Sequence, residues 1–491
     1  MGRKSLDFCY LRIDNAYRLG EYTSDSQLIF ESLNNGRCRM IVEKIRCWKI
    51  FFLCVLLNAI YVPLAAAEDG AAFWRDAWLD LRLTYYARDR NNHGTDSKAS
   101  EIDVDALGWG MDFRSGYAWG FFGFDGSLAL NVGKGDGNSE VLLYDSRENK
   151  DSSSASFREA AIKFKYEADG FGALFLRGGF TPIRVGTIGT SGGVNPHGYR
   201  GVEAKWRLGR ARNFEIGYGW ADRFHNDWDD RFRDMTNKWH QNRDGYDDGS
   251  RIDYIHSLGL RYEFGPGNAG FVDVGAGEGK SFRKNAQIAA SYPFALRDGT
   301  LTLTGYYIWG KYERELASYI AEDPDDEYHF SASARYERGP WTFFAGYGQT
   351  RARDGKEMQF RLTPWGNSDN RNYIQTWAQL DDFVWDGEKV VKLAANYDLS
   401  NLLLPGLRFG ASFNYGWDIE SYDERGTISA QEFDLSLEYA PQSERFKGWS
   451  IGVYPAWLRF DDDTFYGKHS RNDVKFIVAY NTRVDLRNFR K

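Results

Sequence analysis

From residue 68 onward the chain repeats one motif, a short stretch in which apolar and polar side chains alternate strictly. Leu79, Leu81, Leu83 and Tyr85 fall on one face, and Asp80, Arg82, Thr84, Tyr86 and Arg88 on the other. Strand side chains alternate with period two, so this is a strand with one greasy and one ionic face. A soluble sandwich would bury the greasy face against a second sheet. Here the polar face is too consistently charged for that, and the greasy face is rich in aromatics of the kind that line membrane interfaces. Lipid outside and water inside satisfy both faces, which is the arrangement of a transmembrane β-barrel.

Eighteen segments carry the pattern: 76–88, 104–116, 119–133, 157–167, 172–180, 200–209, 213–222, 252–264, 270–278, 285–294, 299–310, 327–337, 341–349, 387–398, 406–417, 431–440, 449–460 and 472–484. Gaps after even-numbered segments are tight, as at Tyr117-Ala118 and Gly339-Pro340, and carry turn-forming Gly and Pro. Those after odd-numbered segments are longer and ionic, the longest being 134–156, 181–199, 223–251, 311–326 and 350–386. Short turns at one rim and long loops at the other predict an all-β antiparallel barrel with periplasmic turns and extracellular loops. A barrel of about 18 strands leaves an open aqueous channel. The alternation shows no recurring blade motif, as a propeller would, and a smaller barrel would leave half the segments unexplained.

The first 67 residues are expected to be absent from the mature chain, and residues 1–39 look like neither a signal nor a domain. Lys44, Arg46 and Lys49 precede the apolar run Ile50 to Leu64 and the small residues Ala65-Ala66-Ala67. This is the order of a secretory signal peptide over 40–67, with Met40 as initiator and 1–39 as an upstream extension. The expected mature chain, 68–491, is a single domain. All four cysteines (Cys9, Cys38, Cys47, Cys54) precede it, so it has neither disulfides nor thiol chemistry. Its charge is 53 basic against 63 acidic residues, with no basic patch for nucleic acid.

The chemistry-bearing residues are those of the polar phase. Arg82, Arg114, Lys163, Lys205, Arg207, Arg335, Lys392 and Arg408 are candidates for a basic ladder on the pore wall, and Asp112, Glu203 and Asp253 for its acidic counterpart. Cross-strand ion pairing explains most such charges; a basic track that focuses a field in a narrow pore is the functional reading of the set. Thr181 to Tyr199 differs from its acidic neighbours in having two prolines, five glycines and one charge. Little bulk and close backbone approach suit a constriction folded into the lumen, with Pro182, Arg184, Gly189, Gly192, Asn195 and His197 as its candidate residues. Trp228, Trp239, Trp365 and Trp377 are loop aromatics that could stack on sugar rings. No spaced metal ligands and no nucleophile elbow accompany them, so no catalytic residue, metal or cofactor is expected.

The stretches RGVEAKW at 200–206, RIDYIHSLGLRYEF at 251–264, GEKVVKLAANYDLSNLLLPGLRFGASFNYGWD at 387–418 and NDVKFIV at 472–478 resemble the outer-membrane porin D (OprD) family, and most of all its chitoporin branch. The likeness runs colinearly over the mature chain. It implies a substrate-specific channel of eighteen strands, a third loop that narrows the pore and a basic wall. Arg82, Lys163, Lys205, Arg207, Arg335, Lys392 and Arg408 match that wall by strand phase alone. Such porins end on an aromatic residue after the last strand, whereas this chain continues as Asp485 to Lys491, with Phe489 near its end. The expected function is passive diffusion of small hydrophilic solutes, above all oligosaccharides such as chito-oligosaccharides. A channel for small carboxylates or amino acids is the alternative within the fold, and a barrel enzyme or adhesin the alternative outside it. The expected partners are outer-membrane lipid and lipopolysaccharide, the solutes and the barrel-assembly machinery, with a monomer or homotrimer as the assembly.

Overall fold

The computed structural model describes residues 71–92, 101–137, 139, 141–145, 150–190, 197–226, 229–237, 250–313, 315, 326–353, 356–358, 360–363, 373–420, 426–462 and 469–487. The expected signal segment and Phe489 lie outside them. A five-residue helix, α1 (Ala71–Arg75), leads into eighteen long strands. These are β1 (Trp78–Asn92), β2 (Ile102–Arg114), β3 (Phe122–Asp136), β4 (Lys150–Ala168), β5 (Gly172–Thr181) and β6 (Gly198–Leu208). Then come β7 (Phe214–His225), β8 (Ile255–Phe264), β9 (Gly270–Gly279), β10 (Arg283–Leu296), β11 (Gly299–Tyr312) and β12 (Asp326–Arg338). The last six are β13 (Trp341–Arg351), β14 (Lys389–Asp398), β15 (Leu407–Glu420), β16 (Thr427–Tyr439), β17 (Trp449–Phe460) and β18 (Arg471–Asp485). Each pairs antiparallel with the next, and β1 closes on β18 from Trp78 abreast of Asp485 to Asn92 abreast of Arg471. Closure matters because hydrocarbon offers no hydrogen-bond partner, so every strand must pair on both sides.

The alternation predicts the faces correctly. Leu83, Tyr85, Leu107, Trp109, Ile162, Leu176, Leu258 and Leu393 all stand on the outside. Ile162 is 55% and Leu393 59% exposed, a surface that only lipid could cover at this extent. Even-numbered strands end in connections of two to nine residues. Between β12 and β13 only Gly339 and Pro340 intervene, and Gly339 takes φ 56°, a conformation glycine adopts without a Cβ penalty.

Three details depart from the sequence pattern. Strands β3 and β4 run on to Asp136 and back from Lys150, so much of the supposed loop 134–156 is hairpin. The connection after β9 is three residues, 280–282, although it lies at the long-loop rim. Most consequential, the segment 350–386 is not simply extracellular. Its described part turns down into the barrel, because polar side chains of the inner wall take up its backbone groups.

Inside the barrel, apolar side chains form separate clusters where loops tuck in. Ile183, Ile188, Tyr199, Phe224, Met235 and Leu362 make one, and Leu380, Phe383, Val390, Ile419 and Leu458 another. A third joins Val141 and Leu142, beyond β3, to Tyr86, Val104 and Ile477. Burying each such side chain contributes about 1.5–3 kcal/mol. These clusters hold the loops in the lumen.

Candidate functional site: a lumen narrowed by two loops

The loop after β5 lies against a patch of wall that has no side chains. Gly217, Gly259 and Gly275 sit abreast on β7, β8 and β9 and face inward; Gly219, Ser257 and Gly277 form the row above. Into this trough drops the turn Val185 to Ile188, closed by two backbone bonds of 2.9 Å between those residues. A Cβ on Gly275 would lie 2.4 Å from the Gly186 Cα, and one on Gly259 2.7 Å from the Gly186 nitrogen. Glycine is therefore a requirement of close approach here. The Thr187 N–H donates to Ser257 Oγ at 2.8 Å, and Gln287 Nε2 on β10 donates to the Gly186 carbonyl at 2.8 Å.

Of the residues expected in this loop, Pro182 is half-buried and Arg184 exposed. The Gly189 carbonyl accepts the Tyr199 hydroxyl and His197 is buried, while Gly192 and Asn195 lie outside the described residues. Arg184 is the loop's one charge. Its N–H donates to Glu203 Oε1 at 2.8 Å and its Nε to Thr190 Oγ1 at 2.7 Å. Among the described residues its guanidinium has no carboxylate within ion-pair distance.

The second loop, 352–388, crosses the opposite wall on a row of polar anchors. The Gln375 N–H donates to Ser331 Oγ at 3.2 Å, and Ser333 Oγ donates to Gln375 Oε1 at 2.7 Å. Asn414 Nδ2 donates to the Thr376 carbonyl and Lys392 Nζ to the Trp377 carbonyl, the latter at 2.6 Å. Glu432 accepts the backbone N–H of Leu380 at 2.6 Å and of Asp381 at 3.0 Å. Burial pushes the Asp381 carboxyl up, with neighbouring Asp382 adding to the rise, although the Phe383 N–H, Arg471 and Trp385 Nε1 pull the other way. At the loop's near end Tyr373 packs on Phe271 and Tyr306, and burial with Asp273 nearby raises its phenol to about 12. The sequence does not announce this loop. Its receptors are scattered over β12 to β17, and only their inward phase could have drawn attention to them.

The candidate cations of the wall lie on the inward phase of the strands, and most of them are neutralised by a carboxylate. Arg82 pairs with Asp112 at 3.1 Å, Lys163 with Asp125 at 2.7 Å and Lys205 with Glu203 at 2.9 Å. Arg207 pairs with Glu215 at 2.8 Å and Arg335 with Glu337 at 2.7 Å. Arg114 pairs with Glu159, and Arg177 joins the same network through Asp125 at 3.0 Å. Lys392 is taken up in holding the second loop. Arg408 is exposed at the periplasmic end of β15. One acidic candidate is misplaced by the sequence pattern. Asp253 precedes β8 and is 72% exposed at the rim beside Arg251, so it is not on the pore wall. Trp377 lies within the lumen loop, its ring 5.8 Å from Lys392 Nζ, while Trp228, Trp239 and Trp365 fall outside the described residues.

A closed barrel of eighteen strands, greasy outside, ionic inside and narrowed by loops folded into its bore, defines a channel of the outer membrane. Residues 71–484 match the family described as outer membrane porin, OprD family, and the chain belongs to it. A curated relative is the chitoporin of Escherichia coli K12, 27% identical over 470 residues, which span 85% of this chain and 93% of that protein. Among solved structures, Pseudomonas aeruginosa OccK1 (OpdK) superposes with a TM-score of 0.69 at 17% identity, covering 84% of this chain and all of that one. Acinetobacter baumannii OccAB4 superposes with a TM-score of 0.67 at 14% identity, covering 83% and 98%. The protein is an OprD-family porin of the Gram-negative outer membrane.

Proposed function

We propose that this porin passes short, largely uncharged oligosaccharides, with amino-sugar oligomers as the leading class. The observation that carries the reading is the charge balance of the wall. Six of the eight candidate ladder cations are paired with carboxylates. A wall neutralised in this way offers hydrogen bonds to hydroxyl and amide groups without a strong preference for anions. Tyr373 and Trp377 on the second loop supply flat rings for the apolar faces of sugars. The likeness to a chitoporin points the same way.

One observation favours a second reading. Arg184 sits in the constricting loop with no acid partner among the described residues, and an OpdK structure was solved with vanillate, a carboxylate. Single channels in a planar bilayer separate the two. Chito-oligosaccharides should block the current transiently at concentrations on the order of micromolar to millimolar, as befits a site that must also release. Blocks by aromatic carboxylates alone would refute the sugar reading and support the other.

A further inference from the structure

The outer wall carries a feature that solute passage does not use. At the extracellular ends of β12, β13 and β14 a notch of about 410 Å³ opens between the strand tops. Arg351 stands in it abreast of Tyr328, and Gln349 abreast of Lys389. These share the outward face with Phe330, Tyr347 and Val391, which are 42%, 36% and 38% exposed. Cations and an amide thus sit one step above aromatic rings at the outer boundary of the membrane, the depth of lipid headgroups.

The wall beneath is hollow. Ala290, Gly305 and Ala332 lie abreast on β10, β11 and β12, and Ala334 and Ala345 lie abreast in the next row. They floor an apolar trough of about 660 Å³, and a second of about 580 Å³ continues past Ala395 and Ala411. A Cβ on Gly305 would touch nothing within 4 Å. Phe294, Phe343 and Tyr347 rise along the edges, 43%, 44% and 36% exposed. A second barrel wall would meet those rings before it reached the floor, whereas an acyl chain fits between them.

The charges in the notch decide the headgroup. Three carboxylates, Asp326, Asp386 and Glu420, and a third cation, Arg353, also line it. Asp326 is held by Lys311 at 2.9 Å, and Asp386 Oδ1 accepts the Ala352 N–H at 2.9 Å. Lys389 is shared with Asp418 at 2.6 Å, and Arg351 has no carboxylate partner among the described residues. A guanidinium with open donors at headgroup depth is suited to a phosphate oxygen.

We propose that this sector binds a phosphorylated glycolipid of the outer leaflet, phosphate in the notch at Arg351 and Lys389, acyl chain in the trough over Ala332 and Ala345. The site is separate from the pore.

Native mass spectrometry of the purified porin tests it, with diphosphoryl lipid A as probe, phosphatidylethanolamine as the zwitterionic comparison and inorganic phosphate as competitor. The wild type should retain lipid A in preference to phosphatidylethanolamine, and free phosphate should not displace it. Joint replacement Arg351→Glu and Lys389→Glu should cut retention by about thirtyfold, since each cation near an anionic lipid surface contributes roughly fivefold. Ala345→Phe, which fills the trough, should lower retention separately, and single-channel conductance should be unchanged in both variants as a check on folding. Equal retention by wild type and variants overturns the proposal, as does equal retention of both lipids. Displacement by inorganic phosphate would reduce the notch to an anion site without the lipid. An oligomer that Ala345→Phe dissociates would make the trough an interface between copies and overturn the proposal too.

Discussion

At the scale of single residues, the decisive contrast is between paired and unpaired cations. Arg207 faces Glu215 at 2.8 Å, and losing it leaves a carboxylate behind as well as removing a charge. Arg184 has its backbone and Nε tied to Glu203 and Thr190, and its guanidinium has no carboxylate within ion-pair distance among the described residues. Arg184→Gln should therefore lower anion preference, whereas the joint replacement Arg207→Gln and Glu215→Gln, which removes a neutral pair, should leave it nearly unchanged. Reversal potentials across a salt gradient read this directly. The difference should be largest in dilute salt, where the Debye length is about 30 Å at 0.01 M. An equal loss of anion preference in the paired replacement would show that pairing does not silence the wall. The phase of the strands reveals which charges point inward. It does not reveal partners, because Arg114 and Glu159 are 45 residues apart in the chain and meet only through the sheet. Asp253 fails for a simpler reason: alternation continues a little beyond the residues that pair.

Among the elements, the two inward loops are held by opposite means. The loop after β5 rests where glycines leave the wall bare, and its own composition announces it: glycines, prolines and a single charge. The loop after β13 rests on polar side chains and contains ordinary residues, so its entry into the bore was hidden in distant strands. Its attachment depends on pH. Asp381 has a raised carboxyl in the folded loop and an ordinary one once the loop is released. The folded form thus holds its proton over the interval between the two values. Docking is strongest at low pH, and stability is lost as pH rises through the raised value. Open-channel current noise, a measure of loop excursions, should grow on alkalinisation, and Asp381→Asn should reduce that dependence, leaving the part carried by Glu357, whose buried carboxyl is raised to about 8. Noise that grows on acidification instead would contradict the sign.

For the whole molecule, the eighteen segments were readable because lipid and water impose the alternation locally, strand by strand. The orientation follows from the same pattern and has a clean test, since the chain has no cysteine beyond Cys54. A cysteine placed at Asp230, in the loop after β7, should react with an impermeant reagent on whole cells. One placed at Gly265, in the turn after β8, should stay unlabelled until the envelope is opened. The reverse result would turn the barrel over. The seam between β1 and β18 carries a further consequence. The last backbone bond of the ring joins Leu486 to Ala77, between residues made at the two ends of synthesis. A ribosome that stalls before Arg471, the first residue of β18, yields a polypeptide in which the edges of β1 and β17 lack the strand that joins them. In hydrocarbon each unmatched amide costs several kcal/mol, so such a product has no stable place in the bilayer. Insertion thereby doubles as an audit of translation: only a message read through to β18 can become a pore.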